Sequence, residues 1–152
     1  MSKRKIRMFT ASDMYLLEGT IFKEFYKEFG EKAIPVIERI CMKMGMEEGK
    51  ELKAKRDLPT MDVKSAAVCL GEYFRDENGE SVEVEVKSPE EIHWKVDECS
   101  PGFKSNDTKV CLALMKGDEA MLNALCGGKA KLTVKKAIAS GDKPCDIVIT
   151  KK

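Results

Sequence analysis

The sequence predicts an α+β fold: a helix-rich N-terminal half followed by an antiparallel sheet of about four strands packed against helices. Two observations predict it. Apolar residues recur every three or four positions through the first half of the chain, and the period then changes to two in short segments bounded by Gly, Pro, Asn and Asp. A length of 152 residues, with 43% hydrophobic and 35% charged residues, fits one domain spanning 1–152 with a real core under a charged surface.

The helices come first. Thr10 and Asp13 form a capping pattern ahead of Met14, Leu17, Ile21 and Phe25, which predicts a helix over Ala11 to Phe29, ended by Gly30. Ala33, Ile34, Ile37, Ile40, Cys41 and Met44 predict a second, long helix reaching Lys55 or Arg56, in which Gly45 and Gly49 mark a bend or a close contact. Asp62 caps a third, carrying Val63, Ala66, Ala67, Leu70 and Phe74.

The strands follow. Val82, Val84 and Val86 alternate with Glu83 and Glu85, and Ile92, Trp94 and Val96 alternate with His93, Lys95 and Asp97, so an antiparallel hairpin about Ser88 and Pro89 is expected. From Val110 to Leu125 the helical spacing returns, with Gly117 dividing it into one kinked helix or two short ones. Lys131 to Ile138 and Cys145 to Thr150 predict the last two strands.

Charge and composition exclude several function classes. Lys plus Arg is 27 and Asp plus Glu is 26, so no net field attracts nucleic acid, and no nucleic-acid partner is expected. The basic group Lys3, Arg4, Lys5 and Arg7 reads as a frayed, solvated end. No apolar run is long enough for a membrane helix or a secretory signal, so no membrane partner is expected and the protein is expected to be cytoplasmic. Six cysteines in that setting read as reduced thiols, with Cys41, Cys69 and Cys126 falling on apolar helical positions. No phosphate-binding loop, nucleophile elbow or dinucleotide fingerprint is present.

Cys99, Cys111 and Cys145 fall near element ends, where functional side chains collect. Acids accompany them: Asp97 and Glu98 precede Cys99, Asp107 and Asp118 flank Cys111 at helical spacings of four and seven, and Asp142 and Asp146 bracket Cys145. Three roles stay open for the thiols: ordinary packing, covalent nucleophile, or ligands of a metal, with zinc the candidate. The paired spacing of common zinc fingers is absent. His93, the only histidine, points away from Trp94 and reads as a strand residue on the open face. Met42, Met44 and Met46 read as core or groove lining.

From Trp94 onward the order of features resembles the L-2-amino-thiazoline-4-carboxylate hydrolase family. The residues that carry the resemblance are Glu98, Cys99, Ser100 and Pro101 after a strand, Cys111 and Asp118 on a helix, and Gly141, Asp142, Lys143, Pro144 and Cys145 before a short final strand. Phe29 to Ala33, opening a long helix with Gly45 and Gly49, is similar as well. The resemblance implies ring-opening hydrolysis of a small cyclic carbon–nitrogen compound to N-carbamoyl-L-cysteine. Cys99, Cys111, Cys145, Asp118 and Asp142 would be its catalytic group, with Trp94 and Glu98 against the substrate. The sequence departs from the family at Ile147, where an aromatic often follows the last cysteine, and at Ser100, which separates Cys99 from Pro101. The same Gly-Asp-x-x-Cys ending is similar to the 4-vinyl reductase domain, which implies instead a small-molecule or metal-binding sensor. A third option is a homodimer formed through the helices.

Overall fold

A computed structural model describes residues 9–152; Lys3, Arg4, Lys5 and Arg7 lie outside them. The order is α1 (Ala11–Phe29), a short 3-10 turn, α2 (Ala33–Lys55), α3 (Val63–Asp76), β1 (Val82–Ser88), β2 (Glu91–Val96), α4 (Thr108–Cys126), β3 (Ala130–Lys136), a second 3-10 turn and β4 (Cys145–Lys151). The four strands are antiparallel in the order β1-β2-β4-β3, so the fold is α+β as expected.

Capping chemistry sets the helix ends. The Thr10 side chain accepts a hydrogen bond from the Asp13 N–H at 3.2 Å, and the Thr10 N–H donates to Asp13 Oδ2 at 3.0 Å. Asp62 Oδ1 accepts from the Ser65 N–H at 2.7 Å and starts α3. At the other end of α4, Gly127 takes the left-handed conformation, φ 68°, that closes a helix and that side chains disfavour.

Alternation gives each strand two faces. Ile92, Trp94, Ile147 and Ile149 turn toward α3 and α4, where with Leu70, Phe74, Leu122 and Leu125 they build the larger apolar cluster. Trp94 is 1% exposed; its Nε1 donates to the Ala67 carbonyl at 3.0 Å and its ring meets Phe74 edge-on at 5.7 Å. A smaller cluster forms around Phe22, Ile37, Cys41, Phe103 and Val110.

The opposite sheet face is not plain solvent. His93 lies on it, as the alternation predicts, yet is only 5% exposed. Its Nδ1 is 2.8 Å from Asp146 Oδ1, its Nε2 is 2.7 Å from Glu91 Oε1, and Lys95 Nζ reaches Asp146 Oδ2 at 2.9 Å. Burial raises the Asp146 carboxyl, but Lys95 and His93 outweigh it and hold the group below its ordinary value.

Of the two alternatives at Gly117, a single helix is the one found, since α4 is continuous from Thr108 to Cys126. Glycines on both helices let the backbones meet: a Cβ at Gly45 of α2 would lie 2.0 Å from the Gly117 carbonyl oxygen, one at Gly49 would lie 2.7 Å from the Ala124 Cβ, and one at Gly117 would lie 3.1 Å from the Cys41 carbonyl oxygen. One expectation changes: β3 ends at Lys136, short of Ile138. There the Ala137 N–H donates to Asp142 Oδ2 at 3.1 Å instead of to a strand, and Ile138 enters a 3-10 turn.

α1 is the least enclosed helix. Only Gly19 and Phe22 along it are buried, while Met14 and Ile21 are each 54% exposed. Gly19 fixes its seat: a Cβ there would fall 2.1 Å from the Pro101 carbonyl oxygen. Among the described residues no helix is long and apolar enough to cross a membrane.

Candidate functional site

A hollow of about 150 Å³ lies where the two apolar clusters meet, between the sheet and helices α1, α2 and α4. Its wall is largely hydrocarbon: Phe74, Val82 and Trp94 on one side, Phe103, Leu114 and Ala137 on another. Polar groups enter it in two sets.

The first set is sulfur. Cys99, Cys111 and Cys145 all line the hollow, joined by Cys41. Backbone N–H groups hold two of them: Phe103 donates to Cys99 Sγ at 3.3 Å, and Ile138 donates to Cys145 Sγ at 3.2 Å. Burial nevertheless raises both thiols, and it pushes Cys111 and Cys41 up to about 12. Charge on Cys99, Cys145 and Asp118 would add to the rise at Cys111, so the sulfur and acid sets are neighbours. At neutral pH these groups are thiols, and thiols are poor nucleophiles. All six cysteines are unpaired. Cys126 is buried and Cys69 half-buried in helices, as their spacing predicts, whereas Cys41 turns out to border the hollow.

The second set is acidic. Asp118 faces the hollow from α4, seven residues after Cys111 on the same helix face, which the unbroken helix makes possible. Glu18 approaches from α1, Glu48 from α2 and Glu80 from the connection into β1; Tyr15 stands beside them. Burial, then Glu80, Glu18 and Glu48 in turn, hold the Asp118 carboxyl well above the ordinary carboxylate range. Glu80 is pushed up to about 7 by burial, with a hydrogen bond to Ser100 opposing the rise and Glu18 adding to it. Burial also raises Glu18, Glu48 and the Tyr15 hydroxyl. Among the described residues no Lys, Arg or His side chain lines the hollow.

Of the residues the sequence singled out, Cys99, Cys111, Cys145, Asp118, Trp94 and Glu98 border this one space. Asp142 does not; it is exposed, and its carboxylate holds the Ala137 N–H. Asp107 likewise spends a carboxylate oxygen on the Lys104 N–H at 2.8 Å. Met44 borders the hollow, whereas Met42 points outward. Among the described residues no group of three or more His, Cys, Asp or Glu side chains is arranged to hold a metal ion.

Tyr15, Glu18, Glu48 and Glu80 are functional candidates that sequence reasoning missed. A signal was present for two of them. Glu18 falls four positions before buried Phe22, and Glu48 falls in step with buried Cys41, Gly45 and Leu52, so each position is in register with its helix's buried stripe, Glu18 half-buried and Glu48 exposed at the rim.

This fold is shared with solved structures. A trafficking protein particle complex subunit 3 from Naegleria fowleri, covalently bound to palmitic acid, superposes with a TM-score of 0.70 at 17% identity, covering 93% of this chain and 95% of that one. The phenol-responsive sensory domain of the transcription activator PoxR, with phenol, gives 0.58 at 14% identity, covering 98% of this chain and 78% of that one. No family model matches the sequence, and no curated protein does.

Proposed function

We propose that this chain is a small-molecule-binding module whose ligand, a compact ring, occupies the hollow between the sheet and helices α1, α2 and α4. The observation that carries this reading is the hollow itself. It is apolar over most of its wall, it has a few polar groups on one side, and at about 150 Å³ it has the size at which an apolar protein cavity takes up a single six-membered ring. A long acyl chain such as palmitate holds far more carbon than that space admits, whereas phenol fits it. The likeness to a phenol-responsive sensory domain supports the same reading.

Titration calorimetry with phenol tests it. One phenol per chain is expected, with stabilisation on the order of 2.7 kcal/mol when free ligand reaches about 100 times Kd. Filling the space by Cys111→Phe is expected to abolish binding while the far-ultraviolet circular dichroism is retained. Wild-type protein that shows no saturable binding of any single-ring compound would sink the proposal.

The ring-opening hydrolysis implied by the resemblance uses the same space. One observation favours it: Asp118, held protonated beside Cys111, has the form of a general acid for the ring sulfur, which leaves carbon as a thiol when water adds. Against a thiolate mechanism stand the raised thiols. Formation of N-carbamoyl-L-cysteine from 2-amino-thiazoline-4-carboxylate, lost in Asp118→Asn, would establish the enzyme; its absence leaves binding without turnover.

A homodimer is proposed separately, from the exposed Met14, Leu17 and Ile21 along α1. Solution mass is expected to be twice that of the chain and to fall to one chain in Ile21→Lys.

A further inference from the structure

We propose that the ligand of the hollow is a small ring bearing a basic nitrogen, bound as its cation with the charge against Asp118 and the ring among Trp94, Phe103 and Leu114. The inference rests on the reading of the hollow as a ring-binding site and deepens it by naming the ligand's charge.

The argument begins with what Asp118 lacks. It is half-buried at the wall of the hollow, and neither of its carboxylate oxygens has a hydrogen-bond partner among the described residues. Its hydrogen-bonding capacity is therefore open to whatever occupies the hollow. The neighbours make the deficit larger. Glu18, Glu48 and Glu80 converge on the same point from three other elements, and each opposes a negative charge on Asp118.

Among the described residues no cation lines the hollow to balance them. Lys23 acts on Cys99, a lining residue, but its Nζ is committed to the Gly102 carbonyl oxygen at 3.2 Å. The remaining titratable groups around the space are Tyr15, Glu98 and the four thiols, none of which carries a positive charge. Five acids facing an apolar space, with no cation among the described residues that line it, form a site whose missing component is positive. An anionic ring is disfavoured twice, by repulsion and by desolvation.

The proton count follows. Before binding, Asp118 keeps its proton. When a ring ammonium enters, the carboxylic acid gives that proton to solvent and the resulting carboxylate pairs with the cation, so one positive charge arrives and one leaves as H⁺. Affinity therefore rises with pH while the ligand stays protonated, because the site's proton is easier to remove. Charge-assisted hydrogen bonds from the ammonium use the vacant oxygens.

Benzylammonium, benzyl alcohol and benzoate have one ring and nearly one shape, and they differ in charge. By calorimetry at about pH 8, benzylammonium is expected to bind at least ~10-fold tighter than benzyl alcohol, and benzoate not measurably. Repeating the benzylammonium titration in two buffers of different ionisation enthalpy is expected to show roughly one proton released per ligand, and the preference is expected to shrink toward about pH 5. Asp118→Asn keeps the shape and is expected to erase the preference of benzylammonium over benzyl alcohol; Glu80→Gln, the second variant, is expected to weaken the pH dependence. Benzyl alcohol binding as tightly as benzylammonium, or an unchanged preference in Asp118→Asn, overturns the cationic ligand and leaves the ring site standing. Failure of all three compounds to bind overturns both.

Discussion

Wild-type protein is expected to melt at progressively lower temperature as the pH rises from about 5 to about 8, and Asp118→Asn is expected to have a shallower slope that keeps only the share Glu80 contributes up to about pH 7. The sign follows from proton binding. Glu80 and Asp118 have pKa values raised in the folded chain, chiefly by burial, whereas in the unfolded chain they titrate near the ordinary carboxylate values. Above those ordinary values the unfolded state holds fewer protons than the folded one, so stability falls with each unit of pH until the folded groups have also titrated. For Glu80 the window runs from its reference 4.5 to about 7; for Asp118 it continues higher. A shift of the size at Glu80 corresponds to roughly 3 kcal/mol at one group, and a kcal/mol moves the melting temperature of a chain this long by about 2–4 °C. Asparagine imitates the neutral acid, so the variant should match wild type near pH ~4 and exceed it at about pH 8. Melting curves across that range check the expectation, and a wild-type slope of the opposite sign would refute it.

Gly45→Ala is expected to destabilise the protein by about 3 kcal/mol, although alanine favours a helix interior by about 1 kcal/mol over glycine. The added methyl would fall 2.0 Å from the Gly117 carbonyl oxygen, and a backbone oxygen cannot rotate aside. α2 and α4 would have to separate. Both helices border the hollow, through Cys41 and Glu48 on one and Cys111 and Asp118 on the other, so ring binding should weaken along with stability. The comparison is Met42→Ala on the same helix, whose side chain is 49% exposed and whose loss should change stability by less than about 0.5 kcal/mol. A urea midpoint for Gly45→Ala equal to that of wild type would mean that the helices have room to spare.

The elements were legible in the sequence because their ends carry local chemistry. Thr10, Asp62 and Gly127 act at helix termini through neighbours one to four residues away, and the valine alternation of β1 needs no partner to be read. Gly117 left one helix or two open because glycine weakens a helix in isolation; what it packs against is a backbone from α2, remote in sequence. β3 was drawn too long for a related reason, since the group that ends it is the Asp142 carboxylate from the following turn.

The site was half legible. Cys111 and Asp118 share one helix face, and a seven-residue spacing announces that. The acids around Asp118 arrive from α1, α2 and the entry to β1, and only the packing of those elements puts them side by side. Local pattern also could not tell Asp142, a turn-holding carboxylate, from Asp118, one at the wall of the hollow.

The strand β2 is fastened from both sides. A shift of its register by one residue would carry Trp94 out of its seat beneath Ala67 and drive Lys95 inward, and it would also pull His93 away from Asp146 on the adjoining strand. Few neighbouring positions in this chain are as closely tied as His93, Trp94 and Lys95. Evolutionary drift therefore has less latitude in the middle of the sheet than at its β1 edge, where Glu83 is free in water and Val86 stands 45% exposed.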